Sequence, residues 1–307
     1  MSERLVVAIV GVTAGGKTAL GEALADALGG EVVCADSRQV YRELEIGTGK
    51  PTPAERSARP HHLFDVVELG ARASAGGYGR AAGETCAAIH ARGRVPVLVG
   101  GSGLYLEAAQ RGLSPVPPSA PAIRARLRGE AEARGIEALH ARLRRDDPAT
   151  AARLAPRDTQ RITRALEVLE ASGRPLSAWH ADAAQPGVAG EWRVIEVTLA
   201  PRALAQRIER RTRDMFDHGL VEETAALLAA GHGDALHALR AVGYDEAMAL
   251  LDGGMTRAAA EERTNLRTRQ LAKRQRTWFR HRVEATPLDA EMGAAAALAA
   301  ALRAARG

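Results

Sequence analysis

Residues 5–10, LVVAIV, form an unbroken apolar run, the pattern of a strand buried on both faces of a parallel sheet. The glycine-rich stretch GVTAGGKT follows. Ala19, Leu20, Ala23, Leu24, Ala27 and Leu28 then recur at helical spacing until Gly29 and Gly30 end the helix. EVVCA (31–35) predicts a second strand running into Asp36. VPVLVGG (95–101) predicts a third, after a helix covering about 78–91. Strands alternating with helices predict an α/β domain built on a parallel sheet.

The pattern changes at SPVPPSAP (114–121), a proline-rich hinge. Residues 122–184 read as helices rich in arginine and alanine, with no strand candidate, before WRVIEVTLA (192–200) restores a strand. Helices are then predicted over 202–215, 220–230, 244–251 and about 257–282, and the Ala-rich stretch 293–305 reads as a weak terminal helix. The expected organisation is a discontinuous α/β core of residues 1–115 and 190–290. A helical insertion spans 116–189, the C-terminal region is helical, and 291–307 is an Ala-rich tail.

Composition narrows this picture. Of 307 residues, 46% are hydrophobic and 26% charged, enough apolar surface to form a core and to exclude a disordered chain. The net charge of +5 permits an anionic partner without requiring one. Two cysteines, Cys34 and Cys86, exclude a disulfide framework and argue against a cysteine zinc site. The adjacent His61 and His62 have no accompanying ligand pattern, so they are not expected to hold a metal. The longest apolar run, residues 5–12, is far short of the ~20 needed to span a membrane. It also lacks the flanks of a signal peptide, so a cytoplasmic protein is the default expectation. Only three of the 42 basic residues are lysines, Lys17, Lys50 and Lys273, and each lies in a recognisable motif.

Gly11, Val12, Thr13, Ala14, Gly15, Gly16, Lys17 and Thr18 fit G-x-x-x-x-G-K-[ST], between a strand and a helix. Glycines let backbone amides turn inward around an anion, and the helix aims the positive end of its dipole at the same point. Lys17 adds a point charge, and the Thr18 hydroxyl is suited to Mg²⁺. This P-loop predicts phosphate or pyrophosphate binding but not which ester. The third strand ends in glycines rather than the acid that orients Mg²⁺ in many nucleotide hydrolases and kinases, which weighs mildly against ATP hydrolysis. Asp36 should reach the same sheet edge, as a base, a metal ligand or a helix cap. Lys50, in IGTGKP, is either a neutraliser of phosphate or a solvated loop residue.

GVTAGGKT, ADSRQVYRELEIGTGKP, PHHLFDV (60–66), VLVGGSGLYL (97–106), RDTQRITRALEVLEASGRPLS (157–177) and RTRQLAKRQRTWFR (267–280) occur in this order. Together they resemble the bacterial tRNA dimethylallyltransferases, also called tRNA isopentenylpyrophosphate transferases, over roughly residues 4 to 282. The resemblance implies a P-loop-like core and transfer of a five-carbon prenyl group from dimethylallyl diphosphate. The acceptor it implies is N6 of the adenine immediately 3′ of certain tRNA anticodons. It implies that Asp36 accepts the amine proton. Lys17, Thr13, Mg²⁺ at Thr18, and Arg207 and Arg211 of the R-I-x-x-R element would then stabilise the departing diphosphate. It further implies tRNA contacts by Asp36, Ser37, Arg38, Gln39, Ser102 and Arg124, and by Gln160, Arg161, Ile162, Thr163 and Arg164 of the insertion.

Independently, residues 263–282 carry eight cations and no acid: Arg263, Arg267, Arg269, Lys273, Arg274, Arg276, Arg280 and Arg282. These would spread around a helix, with Leu271 and Trp278 left on one face to pack, and they favour an RNA surface. The chain departs from the family pattern at Val12 (usually proline), Ser102 (often threonine), Gly49 (often alanine) and in the glycine-rich segment 74–84. None of these removes a proposed catalytic group. The rival readings are a P-loop small-molecule or nucleotide kinase using ATP, and an RNA-binding protein with a relic phosphate loop. Nothing in the sequence demands more than a monomer.

Overall fold

The computed structural model describes residues 4–118, 120–182, 184 and 186–307; Ser119 of the proline-rich hinge lies outside the described residues. It divides into two compact units, Met1–Gln110 with Gly187–Gly307, and Arg111–Pro186.

The first apolar run forms β1, Leu5–Gly11, and Val6, Val7, Ala8 and Ile9 are fully buried. Alternation along the strand sends Val6, Ala8 and Val10 to one core, and Val7 and Ile9 to the other. The first helix, α1 (Lys17–Leu28), stops where Gly29 takes a left-handed conformation, so the glycine pair ends it as expected. Then come β2 (Glu31–Cys34), α2 (Pro53–Ala58), β3 (His61–His62), α3 (Ala75–Ala91), β4 (Pro96–Val99) and α4 (Gly103–Arg111). After the insertion the unit resumes with β5, Glu191–Thr198.

Among the described residues six strands form one parallel sheet in the order β3-β2-β4-β1-β5, with a final strand, Thr286–Asp289, on the outer edge. β4 therefore lies between β1 and β2, and the loops after all three strands open on one sheet edge. The two end strands escape a pattern reading: one is two residues long, and the other contains Pro287, tolerated on an edge.

Within the insertion, α5 (Pro121–Arg134), α6 (Ile136–Asp146), α7 (Pro148–Ala151), α8 (Thr159–Ser172) and α9 (Leu176–Ala181) follow one another. Leu127, Leu139, Leu143, Ile162, Ala165 and Leu166 give this unit its own core. The returning chain forms α10 (Pro201–Asp217), α11 (Leu220–Ala229), α12 (Gly233–Leu239), α13 (Tyr244–Leu251), α14 (Arg257–Arg282), the edge strand β6 (Thr286–Asp289) and α15 (Ala294–Arg306).

The Ala-rich terminal stretch is not a loose tail. Ala297, Ala301 and Ala305 recur one turn apart and are buried in the same cluster as Leu24, Ala25, Ile195 and Leu288, so α15 joins α1 over one face of the sheet. Alanine's small side chain permits that close approach. Among the described residues no helix is long and apolar enough to cross a membrane.

The glycines that follow β4 are there for packing. A Cβ on Gly100 would overlap the Ala35 carbonyl at the end of β2. Gly100→Ala is expected to cost about 1–3 kcal/mol through forced displacement of backbone, read as a lower urea midpoint. An unchanged midpoint would show that the two strand ends are not tightly apposed.

Candidate active site

Every group of this site in the first unit is delivered by a strand end or by a helix that returns to one. The loop from β1 into α1 is shaped by Ala14 at φ 59° and Gly16 at φ 92°. The first amides of α1, including those of Lys17 and Thr18, have no acceptor within the helix and remain available to an anion. The Gly15 amide, in contrast, donates to the Val12 carbonyl at 3.2 Å and closes the loop.

Lys17 Nζ donates to the Val12 carbonyl at 2.8 Å. Burial pulls its pKa down to about 8, opposed by the Asp36 carboxylate and reinforced by the Arg211 guanidinium. Arg207 and Arg211 stand one turn apart on α10. Arg207 donates to the Gly15 carbonyl at 3.1 Å and to the Ala290 carbonyl at 3.3 Å. Arg211 donates to Thr13 Oγ1 at 3.3 Å and to the Thr48 carbonyl at 2.9 Å. Burial also holds Arg211 below the ordinary arginine range, again opposed by Asp36. Arginines on a surface helix usually reach into water; these two are fixed against the phosphate loop.

Asp36 follows β2 on the same sheet edge. Its Oδ1 accepts the Arg38 amide at 2.8 Å, a local turn cap. Its second oxygen has no hydrogen-bond partner among the described residues, so capping leaves half of the carboxylate available for chemistry. The Ser37 amide donates to Ser102 Oγ at 2.8 Å, and the two hydroxyls lie 3.1 Å apart. This ties the β2 loop to the β4 loop. Arg38 donates to the Leu239 carbonyl at 2.9 Å, and Gln39 donates to the carbonyls of Thr48 and Gly49.

One site residue is absent from the sequence expectations. Gln275 on α14 accepts the Thr13 amide at 2.8 Å and donates to the Gly101 carbonyl at 3.0 Å. Its signal in the sequence is its place in the motif RTRQLAKRQRTWFR, as an amide set among cations. Lys50 requires a correction. It neither faces the phosphate site nor lies in solvent, but is buried and bonded to the Tyr41 carbonyl (2.8 Å), Asp65 (2.5 Å) and Glu45 (3.2 Å). Its charge is consumed in holding the loop after β2.

The basic helix is also less uniform than its sequence suggests. Arg263, Arg267 and Arg269 of α14 pair with Glu246, Asp245 and Glu209. Lys273, Arg274, Arg276 and Arg280 enter no ion pair among the described residues. Arg276 and Arg280 line a cavity of about 380 Å³ together with Val12, Glu196 and Leu199. Burial raises the Glu196 pKa, opposed by these two arginines.

The insertion's candidates divide by burial. Gln160 and Arg161 are exposed on α8, Arg161 bonded to Asp158 at 3.0 Å. Ile162 lies in the unit's core and Thr163 is buried next to it in the chain, so neither side chain is exposed to a nucleic acid in this arrangement. Their neighbours Ala165 and Leu166 already share that apolar face in the sequence. Arg124 is committed as well, donating to the fully buried Glu167 at 2.5 and 3.0 Å. Arg164 donates to the Pro117 carbonyl at 2.5 Å and faces Glu167 at 3.3 Å.

Among the described residues no three histidine, cysteine or acidic side chains gather to hold a metal. His61 faces Glu22 at 3.3 Å, and His62 faces Glu31 at 2.6 Å. Thr18, exposed in the first turn of α1, supplies a single hydroxyl. That fits a hard divalent ion which keeps waters and takes most of its ligands from phosphate oxygens.

Two family models match the chain: IPP transferase over residues 39–282 and Isopentenyl transferase over residues 4–63. The tRNA dimethylallyltransferase of Halorhodospira halophila is 47% identical over 295 residues, covering 93% of each chain. That of Geobacter sulfurreducens is 44% identical over 279 residues, covering 91% of this chain and 90% of its own. The full-length tRNA isopentenylpyrophosphate transferase structure from Bacillus halodurans superposes with a TM-score of 0.67 at 33% identity, covering 99% of this chain and 97% of that one. A eukaryotic dimethylallyltransferase, captured crystallographically acting on tRNA, gives a TM-score of 0.77 at 25% identity, covering 94% of this chain and 74% of that one.

The lowered Lys17 pKa carries a pH signature. The charged ammonium binds an anion, so affinity should be full below about pH 8 and fall as pH rises through it. Titrating inorganic pyrophosphate from about pH 7 to about pH 9.5 should show this decline in the wild type. Lys17→Arg stays charged and should lose the decline, which cancels the ligand's own ionisation. Parallel profiles for the two proteins would place Lys17 away from the bound anion.

Proposed function

The chain belongs to the IPP transferase family, and on that premise we propose how it works as a tRNA dimethylallyltransferase. It transfers the dimethylallyl group of dimethylallyl diphosphate to N6 of the adenosine 3′-adjacent to the anticodon and releases pyrophosphate. The observation that carries the mechanism is the placing of Lys17, Arg207 and Arg211 on one phosphate loop, with Asp36 on the same sheet edge. The relatives favour this reading over a small-molecule kinase.

In the reaction C1–O of the donor breaks and C1–N6 forms; pyrophosphate leaves with the electron pair. Charge grows on the leaving oxygens. The amides at the start of α1, Lys17, Arg211 and the Thr13 hydroxyl are positioned to meet it, and Arg207 holds the loop that presents them. Because these donors are fixed beforehand by carbonyls of Val12, Gly15 and Thr48, little reorganisation accompanies the step. Mg²⁺, held by Thr18 and diphosphate oxygens, would supply further charge neutralisation.

The adenine N6 lone pair is delocalised into the ring, so the amine is a weak nucleophile. The unpaired oxygen of Asp36 accepts its hydrogen bond and then its proton as the new bond forms. The acceptor base must leave the anticodon-loop stack to reach that oxygen. Ser37, Arg38, Gln39 and Ser102 surround Asp36 and are placed to guide it, and Gln160 and Arg161 offer exposed groups to the tRNA from the insertion. The unpaired cations of α14 suit the tRNA backbone. The enzyme needs no second copy for this chemistry, and we assign it to the cytoplasm as a monomer.

The test is to incubate the protein with tRNA, Mg²⁺ and labelled dimethylallyl diphosphate, then digest and map the label. Label is expected on one adenosine beside the anticodon, with Asp36→Asn slower by ~100-fold or more at near-normal tRNA affinity. Label on another nucleotide would overturn the acceptor assignment, and undiminished turnover in Asp36→Asn would remove Asp36 from the mechanism.

A further inference from the structure

Arg211 is held by a carbonyl, and that carbonyl belongs to a single helical turn, Ile46–Thr48, of whose side chains only Ile46 packs, in part, against the core. None of its three residues is buried. The start of the turn is held by Glu223 on α11. One carboxylate oxygen of Glu223 accepts the Glu45 amide at 3.2 Å, and the other accepts the Ile46 amide at 2.8 Å. These amides open the turn and have no acceptor within it.

The hydroxyl of Tyr244, from the first residue of α13, donates to the same carboxylate. Tyr244 is fully buried, and its ring lies where a Cβ on Gly47 would be. The turn is therefore gripped at its amides by Glu223 and beneath by the Tyr244 ring. At its far end the Thr48 carbonyl accepts from Arg211 at 2.9 Å, and Gly49 leaves its Cβ space to the Arg211 guanidinium. The other hand of Arg211 rests on Thr13 of the phosphate loop.

We propose that Glu223 is a positioning residue for the transfer reaction: through the 46–49 turn it sets the Arg211 guanidinium against the phosphate loop while touching neither substrate itself. The proposal rests on the reading that this loop holds the donor's diphosphate. It explains why α11 contributes a carboxylate that enters no ion pair among the described residues and spends its oxygens on two backbone amides and the Tyr244 hydroxyl. A carboxylate accepts all three bonds at once, whereas a carboxamide must present a donor to one of them. In Glu223→Gln one backbone amide of the turn loses its acceptor and the turn loosens.

The test titrates inorganic pyrophosphate with Mg²⁺ into the full-length protein, comparing wild type, Glu223→Gln, Tyr244→Phe and Arg211→Gln, with a thermal melt of each. Glu223→Gln should weaken pyrophosphate roughly tenfold and Tyr244→Phe roughly threefold at a temperature where both are folded. The kcat/KM for the donor should fall by at least similar factors, part of the loss in kcat because Arg211 meets the charge growing on the leaving oxygens. A merely structural role would lower the melting temperature and leave pyrophosphate affinity unchanged, which would overturn the proposal. If Glu223→Gln does not fold, unchanged affinity in Tyr244→Phe overturns it. Loss of binding in Arg211→Gln alone would sink the role of Glu223 while keeping the diphosphate site. No loss in any variant, Arg211→Gln included, would mean that the site itself is misassigned.

Discussion

Gathering positive charge at one point is the constraint the rest of the first unit serves. Lys17, Arg207 and Arg211 repel one another, yet all three are held at an eight-residue loop. They stay because backbone carbonyls of Val12, Gly15, Thr48 and Ala290 accept their protons. Burial adds to the cost: it lowers the affinity of Lys17 and Arg211 for protons, and the Arg211 guanidinium lowers that of Lys17 a little further. A diphosphate relieves that crowding, and a leaving diphosphate relieves it more as its charge grows. On the proposed mechanism the cations thereby favour the transition state over the bound donor. Asp36 belongs to the same balance: its carboxylate steadies the cations from one side and offers an unpaired oxygen on the other.

The fold was legible wherever its signal was local. An apolar run, a glycine-rich turn and a 3.6-residue period identify β1, the phosphate loop and α1 within a few dozen residues, and the family resemblance to tRNA dimethylallyltransferases agrees with the relatives. The edge strands at His61–His62 and Thr286–Asp289 carried no such period, because pairing with a neighbour, not composition, makes them strands. The Ala-rich terminus reads as weak until its every-fourth alanine is seen to face α1.

The side chains that organise the site were less legible than those that occupy it. Gln275 lies 262 residues from the Thr13 amide it accepts, and Glu223 lies 177 residues from Ile46. No spacing rule spans such separations. Lys50 looks like a phosphate ligand until Asp65, in an uncommon left-handed conformation, is found beside it. Ile162 and Thr163 show the opposite tension, motif positions whose side chains are buried. Their helical period with Ala165 and Leu166 marks a core face, and that local evidence should outweigh a motif when side-chain contact is at issue.

These points converge on one geometric claim: a diphosphate over the phosphate loop and an adenine amine at the free oxygen of Asp36. The most direct measurement is a crystal structure with an anticodon stem-loop and a non-reactive thio-analogue of dimethylallyl diphosphate. The account predicts the diphosphate in contact with Lys17 and Arg211, and the target adenine turned out of its stack with N6 within hydrogen-bond reach of Asp36. A carboxylate directed away from that amine, or a diphosphate bound anywhere else, would contradict it.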